Sequence, residues 1–245
     1  WIFITGGRGI GKTFGIIKYL VENNEPFIFF RRTETEAAIQ KDPDISDLSK
    51  IFNELNVDFY MENIKHTKFG YARKAEDDSI ICLIAAMKTF GKIRGMNFSK
   101  FRYIVFDEFI KKPEEPSYKM EGFNLLQMYE SVNRNRELLG EGPAQLICLS
   151  NSLDMQNPVF MELDMIDEAD RLSRDDEHEI CAIANKLLII AKKSPISEMK
   201  ADTTLYQNID SESDFYKMAI KNEFILDDRS YVCRKDLRSF PSLRR

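Results

Sequence analysis

Gly6-Gly7-Arg8-Gly9-Ile10-Gly11-Lys12-Thr13 decides the reading of the chain, because it meets the pattern G-x-x-x-x-G-K-[ST] at every fixed position. The pattern carries weight only between a strand and a helix, and both neighbours qualify. Trp1-Ile2-Phe3-Ile4-Thr5 reads as a buried strand, and Phe14 to Val21 has apolar residues at helical spacing. Glycine admits the left-handed angles that turn successive amide hydrogens inward, and an anion fits the nest they make. The helix start adds the positive end of its dipole. Residues Gly6, Gly7, Arg8, Gly9, Ile10, Gly11, Lys12 and Thr13 are therefore predicted to cradle the phosphates of a nucleotide. Lys12 is expected to reach the β and γ phosphates as a point charge, and the Thr13 hydroxyl to ligate the accompanying Mg2+.

The second motif lies about ninety residues on, in Phe101-Arg102-Tyr103-Ile104-Val105-Phe106-Asp107-Glu108-Phe109, where an apolar strand runs into two acids. Asp107 at the strand end is expected to hold the metal, and Glu108 to orient and deprotonate the attacking water. Acids in this order behind a glycine loop predict an α/β fold: a P-loop NTPase of the ASCE type. Its central, mostly parallel sheet is flanked by helices, with an extra strand between the loop strand and the acid strand. A glutamate at this position points to ATP hydrolysis rather than switching.

Other strand signals are Pro26 to Phe30, which ends in Arg31-Arg32, and Gln145 to Leu149, which ends in Ser150-Asn151. The carboxyl ends of strands form the ligand edge of an open α/β sheet. Arg31 and Arg32 thus belong near nucleotide or DNA, or else in salt bridges to Glu34 or Glu36. Asn151 is the candidate sensor of the γ phosphate or the water, the alternative being a turn cap. Residues 33–57 read as a helical insertion, residues 58–86 as a β excursion, and Phe123 to Glu137 as a helix ending in Asn133-Arg134-Asn135-Arg136. Beyond Phe160 the pattern weakens, and Ile180 to Ala184 and Leu187 to Ala191 are read as a final strand and a helix. The domain reading is an ATPase domain over 1–194 and a linker segment over 195–245, leading to a C-terminal domain absent from this sequence. A start inside a strand at Trp1 is read as a truncation point.

The chain has 245 residues, 43% of them hydrophobic, enough for a core. No apolar run approaches the roughly 18 residues that cross a bilayer, so no membrane partner is expected. Cys82, Cys148, Cys181 and Cys233 are widely spaced and read as reduced thiols; His66 and His178 lack partners at zinc-like spacing and read as surface residues. Net charge is −5, yet Met61 to Arg102 holds nine Lys or Arg against four acids. That basic stretch is a candidate grip on DNA phosphates, through Lys65, Lys68 and Lys74, or a solvated face. Asp202, Asp210, Asp214, Asp227 and Asp228 lie on no readable strand framework for a two-metal nuclease.

Taken together, Gly6 to Thr13, Ile104 to Ile110, Arg134-Asn135-Arg136-Glu137 and Ile147 to Asn151 resemble the DNA encapsidation ATPases of small phi-29-like tailed phages. The likeness covers residues 1 to 160, and Ile209 to Phe224 resembles that family's linker. It implies ATP and Mg2+ as cofactors, double-stranded DNA, a portal (connector) and a packaging RNA as partners, and a homo-oligomeric ring, pentameric in the family. It also implies work in the host cytoplasm at the portal vertex of the procapsid, and absence from the mature virion. Carried over by residue, Arg134 corresponds to the trans-acting arginine finger, with Arg136 as its near rival; Arg94, before the acid strand, resembles a motif of the broader large-terminase group and is second choice. An ATP-driven translocase is the first reading; a nucleotide-gated assembly factor or another ASCE motor such as a helicase is the alternative.

Overall fold

The computed structural model describes residues 1–90, 96–111, 115, 118, 120–151, 154, 157–192, 199 and 201–220. The order of elements follows the apolar runs: β1 (Ile2–Gly6), α1 (Lys12–Glu22), β2 (Phe27–Arg31), α2 (Glu34–Gln40), α3 (Asp47–Glu54), β3 (Phe59–Asn63), β4 (Gly70–Lys74), β5 (Ile80–Ala86), α4 (Met87–Phe90), β6 (Tyr103–Asp107), α5 (Glu121–Asn133), β7 (Gln145–Ser150), α6 (Pro158–Glu162), α7 (Ile166–Arg174), β8 (Ile180–Ile183) and β9 (Lys186–Ala191). Caps set the helix starts. Thr33 and Glu36 form a reciprocal capping box on α2, and the Ser46 hydroxyl accepts from the Ser49 amide on α3.

The nine strands form one sheet in the order β3-β4-β5-β2-β6-β7-β1-β9-β8. From β5 to β9 all pairings are parallel, while β4 on β5, β3 on β4 and β8 on β9 are antiparallel. The extra strand expected between loop strand and acid strand is β7, which sits between β1 and β6. Successive residues of a strand face opposite sides of the sheet. Phe27, Phe29, Val105, Ile147 and Leu149 therefore pack with Ile17 and Leu20 of α1 and Phe52 of α3. Ile28, Phe30, Ile104, Phe106, Leu146 and Cys148 pack with Leu125 and Met128 of α5 and Phe160 of α6.

Two expectations give way. Leu187 to Ala191 is a strand, not a helix: Leu188 and Ile190 are fully buried while their neighbours are half-buried, a period of two, and β9 pairs in parallel with β1. The helix expected to reach Glu137 stops at Asn133, because Arg134 takes φ 42° and ψ −123°, which no helix continues. Within 195–245, the described residues carry short helices at Thr204–Gln207 and Asp214–Ala219, with the Tyr206 and Phe215 rings stacked 6.1 Å apart. Arg94 and Cys233 lie outside the described residues.

Candidate nucleotide site

The loop after β1 closes as its glycines require. Gly11, at φ +84°, starts α1 and leaves open space where a Cβ would stand, whereas a Cβ on Gly6 would lie 2.7 Å from the Ala191 carbonyl of β9. The first position therefore turns the chain, and the second lets the loop strand sit tight against its neighbour. Lys12 folds back over the loop: its Nζ donates to the carbonyls of Gly6 at 2.8 Å and Gly7 at 2.9 Å, and to Asn151 Oδ1 at 2.8 Å. Its charge is thus held over the loop backbone, on neutral acceptors that a more strongly accepting anion would displace.

Strand parity delivers the acids. Asp107 shares its side of β6 with Val105 and so faces α1, where Thr13 Oγ1 donates to Asp107 Oδ1 at 3.0 Å. A hydroxyl and a carboxylate in contact are the hard oxygen donors that Mg2+ takes, and the loop supplies donors for a triphosphate, so the residues present fit Mg2+ and ATP. Asn151 Nδ2 donates to Glu108 Oε1, which makes one line of contact from Lys12 through Asn151 to Glu108. Glu108 takes a left-handed φ of 56°, a costly angle for a non-glycine residue, and thereby turns its carboxylate out of the strand's alternation. Burial pushes its pKa up, and the neighbouring Asp107 charge pushes it further. Burial also raises Asp107, opposed by Arg31 and Thr13.

The paired arginines at the β2 tip part company. Arg31 has the parity of Phe29 and faces Asp107, donating from Nη1 to Oδ2 at 2.6 Å, with Nη2 3.7 Å from Glu36. Arg32 has the parity of Phe30 and lies on the opposite side, 1% exposed. There its Nε donates to Glu121 Oε1 at 2.8 Å, its Nη2 to Glu121 Oε2 at 3.2 Å, and its Nη1 to Glu115 at 2.5 Å; the Tyr118 ring lies 5.3 Å away. Of the partners expected for the pair, Glu36 lies within ion-pair distance of Arg31, and the stronger contact is with Asp107, which was not expected. Sequence reasoning missed the role of Glu121. Strand parity was the available signal: of two adjacent residues, one had to leave the nucleotide side and find a carboxylate on α5.

Arg134 and Arg136 are not brought to this site. The loop they occupy lies beside the start of β6, where Arg134 Nη2 donates to the Met96 carbonyl at 2.7 Å and Arg136 Nη1 to that of Ser99 at 3.1 Å. This is the amino-end edge of the parallel strands, about 13 Å from the loop edge by the four rises of a five-residue strand. Arg136 is also paired with Glu141 at 3.1 Å and is 14% exposed at its side chain; Arg134 is exposed. The basic stretch is divided as well. Lys65 and Lys68 sit on the β3–β4 turn, level with the end of β5, while Lys74 lies at the opposite end of β4 with its Nζ 2.6 Å from Asn24. His66 and His178 are exposed, as expected.

The chain is 24% identical over 244 residues to the DNA packaging protein of Bacillus phage B103, covering 97% of this chain and 68% of that one. Against the DNA packaging protein of Bacillus phage phi29, also 24% identical, it spans 64% of the relative's length, slightly under two thirds. The N-terminal domain of the DNA packaging ATPase from bacteriophage phi29 has the same fold, with a TM-score of 0.56 at 24% identity, over 77% of this chain and 88% of that one. The bacteriophage Phi-29 viral genome packaging motor assembly contains a chain that matches 96% of this one, with a TM-score of 0.58 at 20% identity and 66% of its own length covered. The family model of the podovirus DNA encapsidation protein (Gp16) matches residues 1–240, and the chain belongs to that family.

Proposed function

We propose that this chain is the ATP-hydrolysing part of a motor that drives double-stranded DNA into a preformed capsid. The observation that supports this most is the contact line Lys12–Asn151–Glu108 beside Thr13–Asp107, in a member of a DNA encapsidation family. Residues 1–194 would be the ATPase domain and 195–245 the linker to a further domain.

In this reading Gly6 to Gly11 surround the phosphates with amide hydrogens, and Lys12 exchanges a carbonyl partner for a phosphate oxygen. Thr13 and Asp107 would hold Mg2+, which supplies neutralisation of the phosphate charge. Glu108 accepts the proton of the attacking water, and its raised pKa makes it a stronger base than an exposed glutamate. Asn151 connects the two ends of the site, because the same side chain touches Lys12 and Glu108. Arg134 serves a neighbouring copy, since its own site lies at the far edge of the sheet.

The assembly follows the family: a homo-oligomeric ring, a pentamer, at the portal vertex in the host cytoplasm, with a packaging RNA as partner and no place in the mature virion. Turnover of ATP with and without double-stranded DNA tests the motor. Stimulation by DNA supports it, whereas tight ATP binding with no hydrolysis under either condition replaces it with a nucleotide-gated assembly factor. Lys12→Ala should abolish nucleotide binding, and unchanged affinity in a titration would remove the loop from its assigned role.

A further inference from the structure

Arg31 is a cation that none of the hydrolytic steps above employs, yet it holds the acid assigned to the metal. Thr13 Oγ1 occupies Asp107 Oδ1, and Arg31 Nη1 occupies Oδ2, so both carboxylate oxygens already have donors. The grip is a single N–H rather than the two-pronged contact that guanidinium and carboxylate can form, and the buried Arg31 Nε has no acceptor among the described residues. A second anion waits beside it. Glu36 Oε1 lies 3.7 Å from Arg31 Nη2, while Glu36 Oε2 is fixed by the amide and hydroxyl of Thr33 at 2.9 and 2.8 Å. The guanidinium thus stands between two carboxylates, one at the metal position and one at the start of α2.

We infer that Arg31 is the exchangeable counter-ion of the site: it and a divalent cation compete for Asp107, and Glu36 receives the guanidinium when the metal takes its place. The inference rests on the reading of Asp107 as the metal-holding acid. Two cations cannot share one small carboxylate without strong repulsion, so whichever occupies Oδ2 lowers the affinity of the other. Arg31 is then a positioning residue that sets how tightly the site takes its metal. Through Glu36 it also ties metal occupancy to the first turn of α2.

The test is Mn2+ binding to the chain without nucleotide, followed by loss of the free-ion EPR signal, at a pH where the carboxylates are ionised. Arg31→Gln should tighten Mn2+ binding by about tenfold, the scale of one charge-assisted contact. Arg31→Lys keeps the competing charge and should stay within about threefold of wild type. Glu36→Gln preserves the capping box but removes the second anion, so it should weaken Mn2+ binding by a few-fold. Opposite signs for Arg31→Gln and Glu36→Gln are a result that simple damage to the site does not produce. Unchanged or weaker binding in Arg31→Gln, or a shift of both variants in one direction, overturns the inference. If Arg31→Gln fails to fold by circular dichroism, Glu36→Gln decides alone, and unchanged or tighter binding overturns it. Asp107→Asn separates the two readings: if it abolishes Mn2+ binding while Arg31→Gln has no effect, only the exchange is wrong. If Mn2+ binding survives Asp107→Asn, the metal assignment and the exchange fall together.

Discussion

The two edges of the sheet collect different kinds of residue. At the carboxyl ends of the parallel strands, Lys12 and Thr13 from the start of α1 meet Arg31, Asp107, Glu108 and Asn151 from three strand tips. At the amino ends, Arg134 and Arg136 hold backbone carbonyls of residues 96, 99 and 142, and the adjacent Leu138 and Leu139 are 85% and 75% exposed. The first edge is nearly satisfied within the chain, whereas the second presents a cation and apolar side chains outward. α5 joins them physically. Its first turn carries Glu121, clamped by Arg32 at the β2 tip, and its last residue precedes Arg134, about 20 Å away by the rise of thirteen helical residues. Arg134 is therefore about one helix length from its own chain's acids, and under the proposed function it acts on the site of a second copy.

Breaking the far edge should have the largest effect. Arg134→Ala is expected to lower turnover in the assembled protein by roughly 10³- to 10⁵-fold, with nucleotide affinity retained, if the arginine completes a neighbour's site. Mixing Arg134→Ala with Glu108→Gln subunits should then restore part of the hydrolysis, because some interfaces pair an intact arginine with an intact glutamate. Full activity of Arg134→Ala alone would leave the second edge without a catalytic part.

Glu108→Gln probes the near edge and should lose roughly 10²- to 10⁴-fold in turnover while still binding ATP. The pH profile sharpens the point. A base acts when ionised, and both burial and Asp107 raise the Glu108 pKa, so wild-type turnover should fall as pH drops through a pKa higher than that of an exposed glutamate. An acid limb at the ordinary glutamate position would mean that the carboxylate titrates as if exposed.

The α5 side of the same edge should behave differently from its nucleotide side. Glu121→Ala removes the two-pronged partner of a fully buried guanidinium, and stability should drop by about 3–5 kcal/mol in denaturant titration. Nucleotide affinity of the folded variant should change little, because Arg32 and Glu121 lie across the sheet from Lys12. A loss of affinity without a loss of stability would assign the pair to the site.

Much of the near edge was legible in the chain because each part has a local signature: glycines where a turn is needed, acids where an apolar run ends. The placement of β7 between β1 and β6 followed from the acids' order. What was not legible depended on contacts distant in sequence. Leu187 to Ala191 is too short for its periodicity to separate strand from helix, and only the pairing with β1 decides it. The Arg32–Glu121 pair spans 89 positions and the Arg31–Asp107 pair spans 76, so proximity in sequence pointed to Glu36, which Arg31 does approach, but not to these main partners. Charge counting along Met61 to Arg102 treated as one patch what the hairpin divides between two edges.

That division makes the smallest prediction the most discriminating about DNA. A motor that grips duplex without reading sequence contacts phosphates, and each such contact contributes roughly 0.9 to the slope of log affinity against log salt. Lys65 and Lys68 are exposed on the β3–β4 turn, at the same edge as the nucleotide loop, where a phosphate backbone can reach both ammonium groups. Lys74 lies roughly 13 Å away by the length of β4, and its ammonium is already engaged by Asn24. Neutralising Lys65 and Lys68 together should therefore flatten the slope by roughly 1.8, with no dependence on DNA sequence, whereas Lys74→Gln should leave it unchanged. The opposite pattern, in which Lys74 alone flattens the slope, would move the grip to the amino-end edge beside Lys100, Arg102 and Arg134. DNA and the exposed arginine would then share a surface. A slope that responds to none of the three lysines would make the turn a solvated face and assign phosphate contacts to other cations of the chain.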